Sequence, residues 1–125
     1  MLDRFKKRIE KKAKRGFRGY PIASVAFYGP DLSRASKVAV GIVEAEGAEA
    51  DPLRAWLSDE ADVRRDAAVF EEIVAFIDAH GVKTVGMMDR IIGCPHQEGI
   101  DYEGEWCSAC DFWKGRDRFT GKLVG

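Results

Sequence analysis

The chain is poor in the residues that staple small secreted domains. It has three cysteines, two histidines and four prolines in 125 residues. Three cysteines leave one over after any pairing, which argues against a bridged extracellular framework. No apolar run approaches the length of a membrane span. The first residues are charged where a secretory signal would need an apolar stretch. The expectation is therefore a cytoplasmic protein with reduced thiols. There is almost no net charge, −1 in all, so the global balance selects no class of partner. Internal repeats, low-complexity tracts and a glycine-rich phosphate loop are also missing. So is a Ser/His/Asp arrangement, because both histidines have other assignments: His80 ends a helical pattern and His96 sits among cysteines.

What the chain does have is a hydrophobic fraction of 46%, enough for one core at this length. Its charge is segregated. Residues 1–18 carry nine Lys/Arg and two acids, a local +7, and residues 43–79 carry three Lys/Arg and eleven acids, a local −8. The two blocks either pair with each other or face different partners.

Hydrophobic periodicity predicts a basic amphipathic helix over residues 2–15, with Leu2, Phe5, Ile9 and Ala13 as a narrow stripe. Residues 21–28 and 37–44 predict an antiparallel pair of strands around a turn at Gly29-Pro30-Asp31. Asp51-Pro52 predicts a short helix with Leu53, Trp56 and Leu57 on its apolar face. A longer helix is expected from about Asp59 to His80, stopped by Gly81, and a third strand over residues 82–88, with Met87 and Met88 in the core and with Ile91 and Ile92 able to extend it up to Gly93. Residues 118–124 suggest a short final strand. The fold class expected is α+β: a small antiparallel sheet of three to four strands, one long packed helix, a basic N-terminal helix and a C-terminal zinc loop. Residues 1–18 form the helix, and residues 19–125 a single domain that includes the loop 93–113.

The chemistry-bearing pattern is Cys94-Pro95-His96, ten residues, then Cys107-Ser108-Ala109-Cys110. Every cysteine of the chain and one histidine fall within seventeen residues that have no other periodicity to order them. Zinc takes four thiolate or imidazole donors in a tetrahedron, and a closed set of four protein ligands marks a structural site. One Zn2+ per chain on Cys94, His96, Cys107 and Cys110 is the expectation, ahead of an iron–sulfur centre or a redox Cys-x-x-Cys pair.

Glu98 opens a second reading. His96-Gln97-Glu98 followed by Cys107-x-x-Cys110 resembles the zinc nucleobase deaminases, in which the Glu shuttles the proton and is not a ligand. The resemblance implies a zinc hydrolase or deaminase-like enzyme with Glu98 as general acid/base. It covers the order of elements only. In that family the His-x-Glu precedes the third strand, whereas here both motifs follow it, eight residues apart, and Cys94 would be a surplus ligand.

Aromatic and basic residues flank the loop. Trp113, Lys114, Arg116, Arg118 and Phe119 combine stacking faces with cations, and the N-terminal helix adds Lys6, Lys7, Arg8, Lys11, Lys12, Lys14 and Arg15. Such ends suit RNA or DNA, or a protein complex containing it. A membrane surface is the weaker reading, because a stripe of four apolar positions is thin for insertion. Asp89 and Arg90, between the third strand and the loop, are placed to orient a ligand. The sequence thus points to a non-enzymatic zinc-binding module with nucleic acid at its basic ends.

The ligand reading has a direct consequence. Elemental analysis should find one zinc per chain, and Cys107→Ser or Cys110→Ser should lower thermal stability, while Glu98→Gln leaves metal content and folding unchanged. A folded, metal-free protein would refute the site, and an activity lost only in Glu98→Gln would make it catalytic.

Overall fold

The computed structural model describes residues 2–58, 61–93 and 112, with residues 2, 3, 88 and 89 described by backbone alone. The fold is α+β. In chain order it consists of α1 (Leu2–Lys14), β1 (Ile22–Tyr28), β2 (Lys37–Val43), β3 (Leu53–Leu57), a 3-10 turn (Val63–Arg65), α2 (Ala67–Ala79) and β4 (Thr84–Ile91). No helix among the described residues is long and apolar enough to cross a membrane.

β1 and β2 pair antiparallel, Ile22 opposite Val43 and Tyr28 opposite Lys37, as the two β-rich runs predict. Alternation sends Ala23, Val25 and Phe27 of β1 and Val38, Val40 and Ile42 of β2 toward the helices, all of them buried. The turn between the strands begins at Gly29, where a Cβ would collide with the Arg34 carbonyl.

The segment expected to be a short helix after Asp51-Pro52 is instead β3, antiparallel to β2 with Lys37 opposite Leu57 and Gly41 opposite Leu53. The spacing of Leu53, Trp56 and Leu57 imitates a helical face. A five-residue helix gains little by itself, whereas β2 offers a free backbone edge. Asp51 donates to Ile42 O at 2.9 Å and Ile42 to Pro52 O at 3.1 Å, so the ladder starts before the strand proper. Trp56 lies opposite Val38 and is buried, while Leu53 and Leu57 point to the other face and stay exposed.

The long helix is shorter than its periodicity suggests. Asp66 caps α2 by accepting from Ala68 N at 3.0 Å and Val69 N at 3.2 Å, so the helix starts at Ala67 and not near Asp59. Upstream, Asp62 caps the 3-10 turn, and Val63, fully buried, donates to Ala35 O at 2.8 Å. A continuous helix would have to withdraw that bond and that side chain from the core. At the other end His80 Nδ1 donates to Phe76 O at 2.8 Å, the helix-end role expected of it, and Gly81 follows.

The sheet is mixed, not antiparallel throughout. Its order is β3-β2-β1-β4, and β4 runs parallel to β1 with Thr84 beside Ile22 and Met87 beside Val25. The reason is the crossover. α2 carries the chain from the far end of β3 back to the near end, so β4 starts in the direction of β3. Both β1 and β3 are antiparallel to β2, and β4 is therefore parallel to β1. A register shift between Val25 and Phe27 bends the pair and leaves Ile91 beside Phe27. The strand extends to Ile91, within the continuation toward Gly93 that Ile91 and Ile92 allow. Met87 is half-buried against the core.

One core lies between the sheet and the helices. Val69, Phe70, Ile73, Val74 and Ile77 of α2 meet the β1, β2 and β4 side chains there, with Phe27 and Phe70 rings 6.5 Å apart. α1 packs on α2 and β4 through the narrow stripe that the sequence shows: Ile9 is 2% exposed, and Phe5 and Ala13 pack beside it. Gly16, at φ 72°, ends the helix in a conformation that a side chain would resist.

Ile9 is thus the residue that docks α1. Ile9→Ala should destabilise the fold by about 2–4 kcal/mol in urea unfolding, whereas Lys7→Ala, on the exposed side, should stay within about 0.5 kcal/mol. Equal effects would mean that α1 is not docked in solution.

Candidate functional site

The four zinc-ligand candidates, Cys94, His96, Cys107 and Cys110, lie outside the described residues, as do Glu98, Trp113, Lys114, Arg116, Arg118 and Phe119 and the final strand expected over residues 118–124. Among the described residues no group of three or more His, Cys, Asp or Glu is arranged to hold a metal. Both borders of the ligand segment are described. On one side Ile92 donates to Phe27 O and Gly29 donates to Gly93 O, each at 2.9 Å. Cys94 therefore follows directly from the carboxyl end of the parallel pair β1 and β4. On the other side Phe112, two residues past Cys110, is half-buried against the helix-face core. Gly93 and Phe112, the described residues on either side of the candidate ligands, are thus both held against the body.

The carboxyl end of β1 is a polar surround. Residues 29–36 are shaped by Asp31, which accepts from Ser33 N at 2.8 Å and Ser33 Oγ at 2.6 Å. Those two bonds, with the Arg34 backbone and charge, outweigh partial burial and hold the Asp31 carboxyl below its ordinary value. Arg34 ties this turn to the next one, donating to Ser58 O at 3.2 Å and Ala61 O at 3.1 Å.

Asp62 and Arg64 form a two-pronged pair, with Nη2 to Oδ2 at 2.7 Å and Nε to Oδ1 at 3.0 Å, and the Arg64 backbone N–H adds a bond at 2.9 Å. Burial pushes the Asp62 carboxyl up, but the Arg64 side chain and the backbone N–H groups of Arg64 and Ala35 more than offset it and bring it down to about 2. Lys37 is 4% exposed, on the opposite sheet face from the helices, with its ammonium 5.5 Å from the Tyr28 ring centroid. Nothing in its sequence context, a Lys opening a β-rich run, marks it for burial. Arg90 is exposed.

The basic helix divides by side. Arg8 donates to Asp78 at 2.8 Å, Lys12 to Val82 O at 3.4 Å, and Lys6 lies 6.0 Å from the Phe70 ring centroid. These three of the predicted nucleic-acid ligands face the body. The Arg8–Asp78 pair, with side chains 55% and 41% exposed, steers docking more than it stabilises. Lys7, Lys11, Lys14 and Arg15 are all exposed, and together with the half-buried Glu10 they line a shallow concavity on the other side of α1.

Phe17, exposed at 65%, and Tyr20, whose ring meets it edge-on, are a feature the sequence reading passed over. Its signal was an aromatic flanked by Gly16 and Gly19 within a basic stretch. Comparison with protein-family models, with curated proteins and with solved structures gave no match for the chain.

The Asp62 pair gives a pH signature. Its folded carboxyl titrates near 2, below the unfolded value, so its contribution is complete above about pH 4 and is lost as pH falls through about 2. Asp62→Asn should cost about 1–2 kcal/mol at pH 6, less than the full shift implies because both groups still touch water. The gap to the wild type should close as unfolding is measured toward pH 2. A constant gap would mean that the carboxylate charge is not what matters.

Proposed function

We propose that the chain is a non-enzymatic zinc-binding module that holds nucleic acid, or a nucleoprotein complex, through the exposed side of α1. Cys94, His96, Cys107 and Cys110 supply a closed zinc set, and four protein donors leave no position for a catalytic water. A closed set of this kind contributes folding energy directly. Three cysteines in thiolate or thiol form fit a reducing, cytoplasmic setting.

The observation that carries the nucleic-acid part is the division of α1. Packing uses up the apolar stripe and three of the cations, and it leaves Lys7, Lys11, Lys14 and Arg15 exposed around a single acid, Glu10. A helix rises 1.5 Å per residue, so Lys7, Lys11 and Lys14 follow one another at intervals of about 4.5–6 Å along one side. Cations in such a row contact successive phosphates and position a strand without reading its bases. The basic, aromatic residues 113–119 extend the same chemistry beyond the zinc loop.

Because α1 is part of the core, deleting it would confuse binding with folding. The test is a salt titration of oligonucleotide binding, wild type against Lys7→Gln/Lys11→Gln/Lys14→Gln. Each lost phosphate contact should flatten the slope of log affinity against log salt by about 0.7–0.9, so the triple variant should lose about 2–3 units with its melting temperature unchanged. No binding at low salt, or an identical slope, would refute the reading.

A further inference from the structure

We propose that Phe17 is a stacking platform for an unpaired base, so that the ligand of the basic helix is single-stranded nucleic acid. The proposal rests on the nucleic-acid reading above and narrows it. Phe17 is the first residue after the helix-ending Gly16, and at 65% exposure its ring is open to solvent. It is not on a loose end. Thr84, 7% exposed, accepts from Arg18 N and donates to Gly19 O, both at 2.8 Å, and Lys83 N donates to Pro21 O at 2.9 Å. One buried hydroxyl thus pins the peptide immediately after Phe17 to the start of β4. Gly19, at φ 108°, lets the chain turn there. Tyr20 supports the ring edge-on, with centroids 5.5 Å apart and planes at 72°. The loop holds a large aromatic ring in a defined place and does not bury it.

The charges around that ring select the ligand. Lys11, Lys14 and Arg15 lead along the exposed side of α1 to Phe17, Arg18 follows it, and Lys83 lies against Gly19, whose Cβ would meet Lys83 Cδ at 3.6 Å. Residues 11–20 contain no Asp or Glu. The sheet register puts Glu44 just beyond Val43, the partner of Ile22, so acids begin where the sheet end begins. A polyanion is therefore guided along α1 and not across the sheet.

A duplex would satisfy the cations but has no free base face for Phe17, whereas an unpaired base stacks on any aromatic ring while the cations hold its phosphates. A membrane would need an apolar helix face to insert. The apolar face of α1 is spent on the core, with Ile9 2% exposed.

The test is fluorescence anisotropy of the full-length protein with three labelled probes of about twelve nucleotides: oligo-dT, an abasic strand of equal charge, and a duplex. Phe17 is 65% exposed and its ring meets Tyr20, so Phe17→Ala should fold normally. It should weaken oligo-dT binding by between about fivefold and about a hundredfold, leave the abasic affinity and the salt slope unchanged, and be rescued by Phe17→Trp. Equal oligo-dT affinity in wild type and Phe17→Ala, or an equal loss on the abasic strand, would overturn the platform while leaving the phosphate-holding helix intact. No binding to any probe at low salt would overturn both readings. Binding confined to phosphatidylserine vesicles would overturn them in favour of a membrane.

Discussion

The parallel pairing of β4 with β1 is the contact on which the rest of the molecule depends. It closes the crossover through α2, and so clamps that helix onto the sheet over Val25, Phe27, Val38 and Val40. It creates both ends on which the proposed function rests. At the start of the pair, Thr84 beside Ile22 captures Arg18 and Gly19 and so sets the course of the chain after α1. At its finish, the bonds from Ile92 to Phe27 and from Gly29 to Gly93 set the point from which the cysteine-bearing segment departs. In sheets with parallel strands, the carboxyl ends are where the backbone opens and loops diverge, which makes them favoured positions for ligands.

α1 carries two kinds of demand on one short helix. Its stripe of Phe5, Ile9 and Ala13 is narrow because only one side meets the body. That narrowness leaves most of the circumference to cations, and their division follows from geometry. Arg8 and Lys12 flank the stripe and reach Asp78 and the Val82 carbonyl. Lys7, Lys11, Lys14 and Arg15 lie farther round and keep their charge in water. Among the described residues the basic N-terminal block and the acidic middle block meet at the exposed Arg8–Asp78 pair, while Lys7, Lys11, Lys14 and Arg15 stay exposed.

Legibility differed by kind of signal. The helix of α1, the antiparallel pair β1 and β2, and the stop of α2 at Gly81 were readable because local periodicity and punctuation agree with the packing. β3 was misread. Leu53, Trp56 and Leu57 fit a helix as well as a strand, and only the free edge of β2 decides between them. α2 starts at Ala67 and not near Asp59 because Asp66 caps it, and the burial of Val63 with its bond to Ala35 keeps the residues just upstream in a separate 3-10 turn. Phe17 went unremarked because exposure is not a property of sequence. The buried Lys37 was equally invisible.

By itself, then, the sequence determined the local quantities: which segments are amphipathic, where helices stop, where charge of each sign is gathered, and the clustering of three cysteines and a histidine within seventeen residues. These follow from side-chain chemistry and spacing along one chain. The tertiary structure alone decided the non-local ones: the parallel direction of β4, the conversion of residues 53–57 to a strand, the side of α1 that keeps its cations, and the clamp from Thr84 that leaves Phe17 in solvent. Each of these depends on hydrogen bonds and packing between residues far apart in the chain, 66 residues in the case of Arg18 and Thr84 and 70 in those of Arg8 with Asp78 and Lys12 with Val82. No local pattern encodes which distant backbone edge a segment will meet.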